Sequence, residues 1–133
     1  MSDTVSEIDP ARAWELLEAD PQAVLIDVRT AAEWQFVGTP RPPAGDPLLI
    51  EWNTWPDGAH NPRFVDEVRE RVRPDQTVLL LCRSGARSRA AAAALGEAGF
   101  TACHNVSAGF EGGLDGDGHR GGGWKDTLPW GQT

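Results

Sequence analysis

The 133-residue sequence is short of cationic charge, of sulfur and of long apolar runs, and each scarcity closes off a class of function. Twelve lysines and arginines stand against 20 aspartates and glutamates, for a formal charge of −8. Binding a nucleic-acid backbone or an anionic membrane requires a basic face, so neither is expected as a partner. The longest run of valine, leucine and isoleucine, Val78 to Leu81, falls far short of the roughly 20 residues of a spanning helix. The opening MSDTVSEIDP has neither the basic start nor the apolar stretch of a secretory leader. Two cysteines cannot form a disulfide framework and fit no zinc spacing. His60, His104 and His119 are too scattered to form a ligand set, so no metal is expected, and nothing calls for a cofactor. The expectation is a soluble protein of the reduced cytoplasm, long enough for one domain.

Glycine and proline are plentiful, at 15 and 10, and they concentrate between Gly38 and Pro62 and between Gly109 and Gly131. Regular elements are expected outside those stretches. Asp9-Pro10 reads as a helix start, a capping oxygen followed by a ring that needs no amide partner. Ala13, Trp14, Leu16 and Leu17 supply its apolar stripe, and Pro21 ends it. Val24 to Ile26 and Thr77 to Leu81 are short non-alternating apolar runs, which suit parallel strands covered on both faces. Thr30 to Glu33 has the spacing of a capping box. A helix is expected from Asn61-Pro62 to Pro74, a second over the alanine-rich stretch from Ser88 to a left-handed Gly99, and a strand over Ala102 to Val106. The alternation predicts an α/β fold with a mostly parallel central sheet flanked by helices on both faces. The prediction is a single domain, 1–133, with a core at about 5–110. Beyond it lies a Gly-rich extension, 111–133, whose Trp124, Leu128 and Trp130 are candidates to anchor its end.

Ligands of open parallel sheets lie beyond the carboxyl ends of the strands. Two polar clusters occupy those ends: Asp27-Val28-Arg29, and Cys82-Arg83-Ser84-Gly85-Ala86-Arg87-Ser88. Amides at a helix start carry partial positive charge, and a loop curled around an anion makes a nest of N–H groups. Gly85 permits the tight turn such a loop needs. Arg83 and Arg87 add full positive charge on an otherwise acidic chain. The pattern predicts that Cys82 is a nucleophile held as the thiolate, rather than an inert thiol closing a strand.

Taken in order, Asp27-Val28-Arg29, Glu33-Trp34, the CRSGARS loop from Cys82 to Ser88, and Asn105-Val106 before a glycine-containing turn resemble a single-domain rhodanese over about 5–110. The resemblance implies transfer of a sulfane sulfur from thiosulfate or a persulfide donor to a thiol or protein acceptor, through a Cys82 persulfide. It implies that Cys82 is the nucleophile, that Arg83, Ser84, Gly85, Ala86, Arg87 and Ser88 cradle the substrate, and that Asp27 and Arg29 support that cradle by orienting it. The stretch Val37 to Gly45 departs from the family pattern and has no histidine.

Two other readings stay open. One is a persulfide carrier or protein-binding module with little turnover, for which Trp52 and Trp55 offer contact surface. The other is a cysteine phosphatase or arsenate reductase. It is disfavoured because Arg87 follows Cys82 after four residues rather than five and no carboxylate in the loop can protonate a leaving group. Cys103 is read as a buried thiol, with resolution of an oxidised Cys82 as the alternative.

Overall fold

The computed structural model describes residues 5–43, 45–54 and 57–132. Along the chain run β1 (Ser6–Ile8), α1 (Pro10–Ala19), β2 (Val24–Asp27), α2 (Ala31–Phe36), β3 (Thr39–Pro40), β4 (Leu48–Leu49) and α3 (Phe64–Arg69). They are followed by β5 (Thr77–Leu81), α4 (Ala86–Glu97), β6 (Ala102–Val106), β7 (Gly113–Leu114), β8 (Arg120–Gly121), α5 (Trp124–Thr127) and β9 (Trp130–Gly131). Five strands form one parallel sheet in the order β1-β6-β5-β2-β4.

The sheet explains why its central strands carry no polar alternation. On β5, Leu79 and Leu81 face one core with Leu25, Ala13, Leu17, Phe110 and Trp124. Val78 and Leu80 face the other with Ile26, Phe64, Val68, Ala91 and Leu95. Both faces are covered, α1 and α5 on one side and α3 and α4 on the other, so both registers must be apolar. Asp27 pairs with Leu81 in the ladder, and the Val28 amide donates to the Leu81 carbonyl at 2.8 Å. The two polar clusters therefore leave the sheet side by side.

Local signals account for the main elements. Asp9 accepts the Arg12 amide at 2.8 Å with Pro10 in the first turn of α1. Thr30 and Glu33 close a reciprocal capping box at the start of α2. Three expectations are corrected. α3 ends at Arg69 rather than running to Pro74. The alanine-rich helix begins at Ala86, not Ser88; Ser88 has the residue type of a cap, but its hydroxyl is turned inward and Gly85 occupies the cap position instead. β4 lies in the stretch from Gly38 to Pro62, where no regular element is expected: two residues cannot display a period, and they become a strand by pairing with β2.

The extension is structured. β7 and β8 form a hairpin whose turn is held by Asp115, which accepts the Asp117 and His119 amides. These amides also hold its carboxyl below the usual range, so the Asp-Gly-Asp-Gly run is turn chemistry. Trp124 is buried against Trp14, and β9 pairs with β3. Trp52 is half buried, edge-on to Phe64 and His60; Ala44 and Trp55 lie outside the described residues. No helix among the described residues is long and apolar enough to cross a membrane.

Candidate active site

Cys82 is the first residue after β5 and is 1 % exposed. The chain then turns back through Gly85, at φ 111°, which sends the Gly85 amide onto Cys82 Sγ at 3.0 Å. A side chain at position 85 would collide with the Ser107 carbonyl, so the turn is closed to any other residue on two counts. The floor is equally close-built. Gly109 lies against the Cys82 and Arg83 carbonyls, where a Cβ would come within 2.6 Å. The neighbouring Phe110 and Glu111 amides donate to those same carbonyls at 2.8 and 3.0 Å.

The loop amides are mostly uncommitted. Among the described residues, the amides of Arg83, Ser84, Ala86, Arg87 and Ser88 have no intramolecular acceptor, whereas the Arg89 amide closes the first helical bond onto Gly85. These are the orphan donors of a helix start and the turn before it, the groups that favour an anion. The Gly85 amide alone among the described amides reaches Sγ itself; the uncommitted ones are left for atoms attached to the sulfur.

Ser88 supplies a second polar contact to the sulfur, Oγ to Sγ at 3.3 Å. Its hydroxyl proton is directed at Asn105 Oδ1. The Asn105 amide is fixed in that sense because its nitrogen donates to Glu7 Oε1 at 2.9 Å and to the Gly85 carbonyl at 3.1 Å. Glu7 is held in turn by Arg89 at 2.8 Å. The Arg89 hydrogen bond, with Asn105 assisting against some burial, keeps the Glu7 carboxyl below its usual range. A line of bonds thus runs from an exposed ion pair on β1 to the buried thiol.

The remaining arginines do not stand as free charges. Arg87 grips Glu33 with two nitrogens at 2.7 and 3.0 Å. Burial pushes the Glu33 carboxyl upward, but the bonds from Arg87 and Thr30 outweigh it and hold it below the usual range. Arg83 pairs with Glu111 at 3.2 Å. The expectation that Arg83 and Arg87 add uncompensated charge is therefore corrected: each is matched by a carboxylate from a distant segment.

Asp27 and Arg29 are fully buried and paired at 2.8 Å beneath the loop. Arg29 also donates to the Gly38 carbonyl at 2.6 Å and lies 4.3 Å from the Phe110 ring centre. The pair touches the loop through Phe110 and makes no bond to Cys82. Cys103 pairs with Val78 on the ladder, four residues behind Cys82, roughly 13 Å along the strand. That separation excludes a disulfide with Cys82, and burial raises the Cys103 thiol to about 11.

Beside the loop lies a groove of about 470 Å³, lined by Thr30, Ala32, Glu33, Phe36 and Val37 at α2 and by Arg83 and Glu111. Of the predicted residues, Cys82, Gly85 and Ser88 meet in the interior, while Arg83, Ser84 and Ala86 face solvent and Arg87 is half buried. Sequence reasoning did not single out Glu7 or Glu111, and took Glu33 and Asn105 only as parts of a pattern. No local signal ties Glu7 or Glu111 to the loop; Glu33 alone is marked, by its cap.

Comparison with known proteins agrees with this geometry. Residues 9–115 match the rhodanese-like domain family. An uncharacterized Rickettsia rickettsii protein is 34% identical over 96% of this chain and 98% of its own. Thiosulfate sulfurtransferase GlpE of Actinobacillus pleuropneumoniae is 33% identical over 84% of this chain and 89% of that protein. Among solved structures, Rv0390 from M. tuberculosis superposes with a TM-score of 0.88 at 47% identity, covering 97% of this chain and 98% of that one.

Proposed function

The chain belongs to the rhodanese-like family, a sulfurtransferase family, and on that premise we propose that it carries a sulfane sulfur on Cys82 between a donor and a thiophilic acceptor. The observation behind the reading is the position of Cys82 Sγ, under the Gly85 amide and within a turn whose other amides are uncommitted.

In the first half-reaction the Cys82 thiolate attacks the outer sulfur of the donor. A Cys82 S–S bond forms, and the donor's S–S bond breaks with its electron pair on the leaving group, sulfite from thiosulfate or a thiolate from a persulfide. The product is a Cys82 persulfide, whose outer sulfur extends into the turn toward the free amides. Donors already fixed by the fold stabilise that charge without reorganising. Ser88 has one hydroxyl proton: aimed at Asn105 it leaves an oxygen lone pair toward the thiol, and swung toward Sγ it supports the anion. In the second half-reaction an acceptor thiolate attacks the outer sulfur and Cys82 leaves as the thiolate, so no oxidant or metal is consumed.

Arg87 bears on the phosphatase alternative, since its guanidinium is turned to Glu33 rather than free to hold a phosphate. The test is intact-mass measurement after exposure to thiosulfate or cysteine persulfide. Gain of one sulfur, removed by a thiol and absent in Cys82→Ala, is expected. Uptake that survives Cys82→Ala refutes the assignment.

A further inference from the structure

We infer that the site is shaped for a donor of low charge, an organic persulfide R–S–SH, and discriminates against dianionic thiosulfate, with Glu33 and Glu111 as the residues that set this preference. The inference rests on the sulfurtransferase reading and specifies its donor.

The first observation is the charge balance. Each arginine from Cys82 to Arg89 is paired: Arg83 with Glu111, Arg87 with Glu33 and Arg89 with Glu7. The partners come from the extension, from α2 and from β1, three separate segments converging on one turn. The nearest buried guanidinium, Arg29, is matched by Asp27. Among the described residues the mouth of the site thus has no net side-chain charge, on a chain of net charge −8. Among the described residues, the backbone amides and the Ser88 hydroxyl remain to receive an anion. Their partial charges suit the single negative charge of a persulfide on Cys82. Loading from thiosulfate instead brings a thiolate against a dianion and expels a second dianion, sulfite. A dianion meeting this mouth must either displace a glutamate from its arginine or accept the repulsion.

The second observation is the groove. Its lining includes the apolar side chains of Ala32, Val37 and Phe36, and Phe36 is 72% exposed. A sulfonate gains nothing there, whereas the organic part of a persulfide buries apolar surface on it. With R–S–SH as donor, the Cys82 thiolate attacks the outer sulfur and the donor's S–S bond breaks with its electron pair on the inner sulfur, which leaves as the thiolate R–S⁻. The proton of the transferred sulfur then passes through solvent to that thiolate, so the step is balanced as Cys82 persulfide anion plus R–SH.

The experiment measures second-order rates of sulfur loading onto Cys82 by quenched intact-mass sampling, with thiosulfate and with cysteine persulfide, whose organic part has no net charge. The unmodified chain, Glu111→Gln and Glu33→Gln are compared at low and high ionic strength. Intrinsic reactivity differs between the donors, so the decisive reading is how their rate ratio changes. Each glutamine variant is expected to raise the thiosulfate-to-persulfide ratio about fivefold at low salt, the size of one freed surface charge contact. In the unmodified chain, added salt is expected to speed thiosulfate loading and leave cysteine persulfide loading nearly constant. Glu111→Gln leaves the α2 cap intact, so its ratio stands even where Glu33→Gln perturbs that helix. An unchanged ratio in Glu111→Gln, or thiosulfate loading that added salt does not speed in the unmodified chain, overturns the inference alone. Failure of both donors to load Cys82 overturns the sulfurtransferase reading and the inference with it.

Discussion

Arg29 and Arg87 each hold a carboxylate with two nitrogens, Arg29 on Asp27 at 3.0 and 2.8 Å and Arg87 on Glu33 at 2.7 and 3.0 Å. The surroundings differ. The first pair is fully buried under the Cys82 loop, while the side chains of the second are 25% and 21% exposed at its mouth. A buried pair is held by what its loss would leave behind, a charge with neither water nor partner. A pair at the mouth loses little when broken, because solvent replaces the partner. One geometry therefore fixes the floor of the site, and the other sets the field an incoming donor meets.

The sharpest way to break this contrast is to remove one partner of the buried pair. Arg29→Met leaves Asp27 buried without a partner, and is expected to cost about 3–5 kcal/mol in denaturant unfolding. The same change removes the hydrogen bond to Gly38 and the charge over Phe110. A double variant, Asp27→Leu with Arg29→Met, is expected to recover much of that loss. A cost for Arg29→Met no larger than that of a surface pair would erase the difference between floor and mouth.

Next in size is the extension, which reaches the floor from the other direction. The Trp124 and Lys125 amides donate to the Gly109 and Phe110 carbonyls, both at 2.9 Å, and Gly109 and Phe110 lie directly behind Cys82. Trp124 is fully buried in the same core as Phe110. Trp124→Ala is expected to lower stability by about 3 kcal/mol and to slow sulfur loading, through loss of support under the turn. An unfolding midpoint unchanged from the parent chain would mean that the extension is not part of the floor.

What the sequence makes legible follows from how locally each feature is encoded. The turn after β5 is legible because a buried strand, a glycine and an alanine-rich helix adjoin in the chain, and the α1 and α2 starts because capping acts within four residues. Trp124 is legible as an anchor because a large apolar side chain beyond a glycine-rich stretch has to be covered. The glutamates at the mouth are not. Glu7 lies in a three-residue strand defined only by its neighbour β6, and Glu111 comes to Arg83 only because Phe110 and Glu111 bond to the loop carbonyls. Reading the arginines as free cations follows from seeing them without those distant partners. Ser88 illustrates the same limit: its type suggests a helix cap, but Asn105, reached across the fold, turns it inward.

Ser88 stands between floor and mouth, and its removal separates packing from charge. Ser88→Ala leaves Asn105 Oδ1 without its buried donor, at an expected cost of about 1–2 kcal/mol. It also takes from Sγ the one hydroxyl in reach among the described residues, so loading is expected to fall by more than the stability loss explains at a pH where the chain is fully folded. If loading is unaffected, the amides alone hold the sulfur, and the line from Glu7 to Cys82 serves packing only.

The smallest expected stability effect belongs to the mouth pair, and its pH dependence identifies it. Glu33 has a folded carboxyl below the usual range, the Arg87 and Thr30 bonds outweighing burial. A depressed folded value means that the unfolded chain takes up the proton first as pH falls. The stabilisation is therefore fully present above the unfolded carboxylate value, near ~4.3, and fades as pH drops through the folded value. At neutral pH Glu33→Gln is expected to cost at most about 1 kcal/mol. Its unfolding free energy should approach that of the parent chain as the solution is acidified through the lowered folded value, where the parent's carboxyl becomes protonated as well. A cost several times larger at neutral pH, or one constant down to strong acid, would mean that Glu33 anchors the loop as Asp27 does, and the division between floor and mouth would not hold.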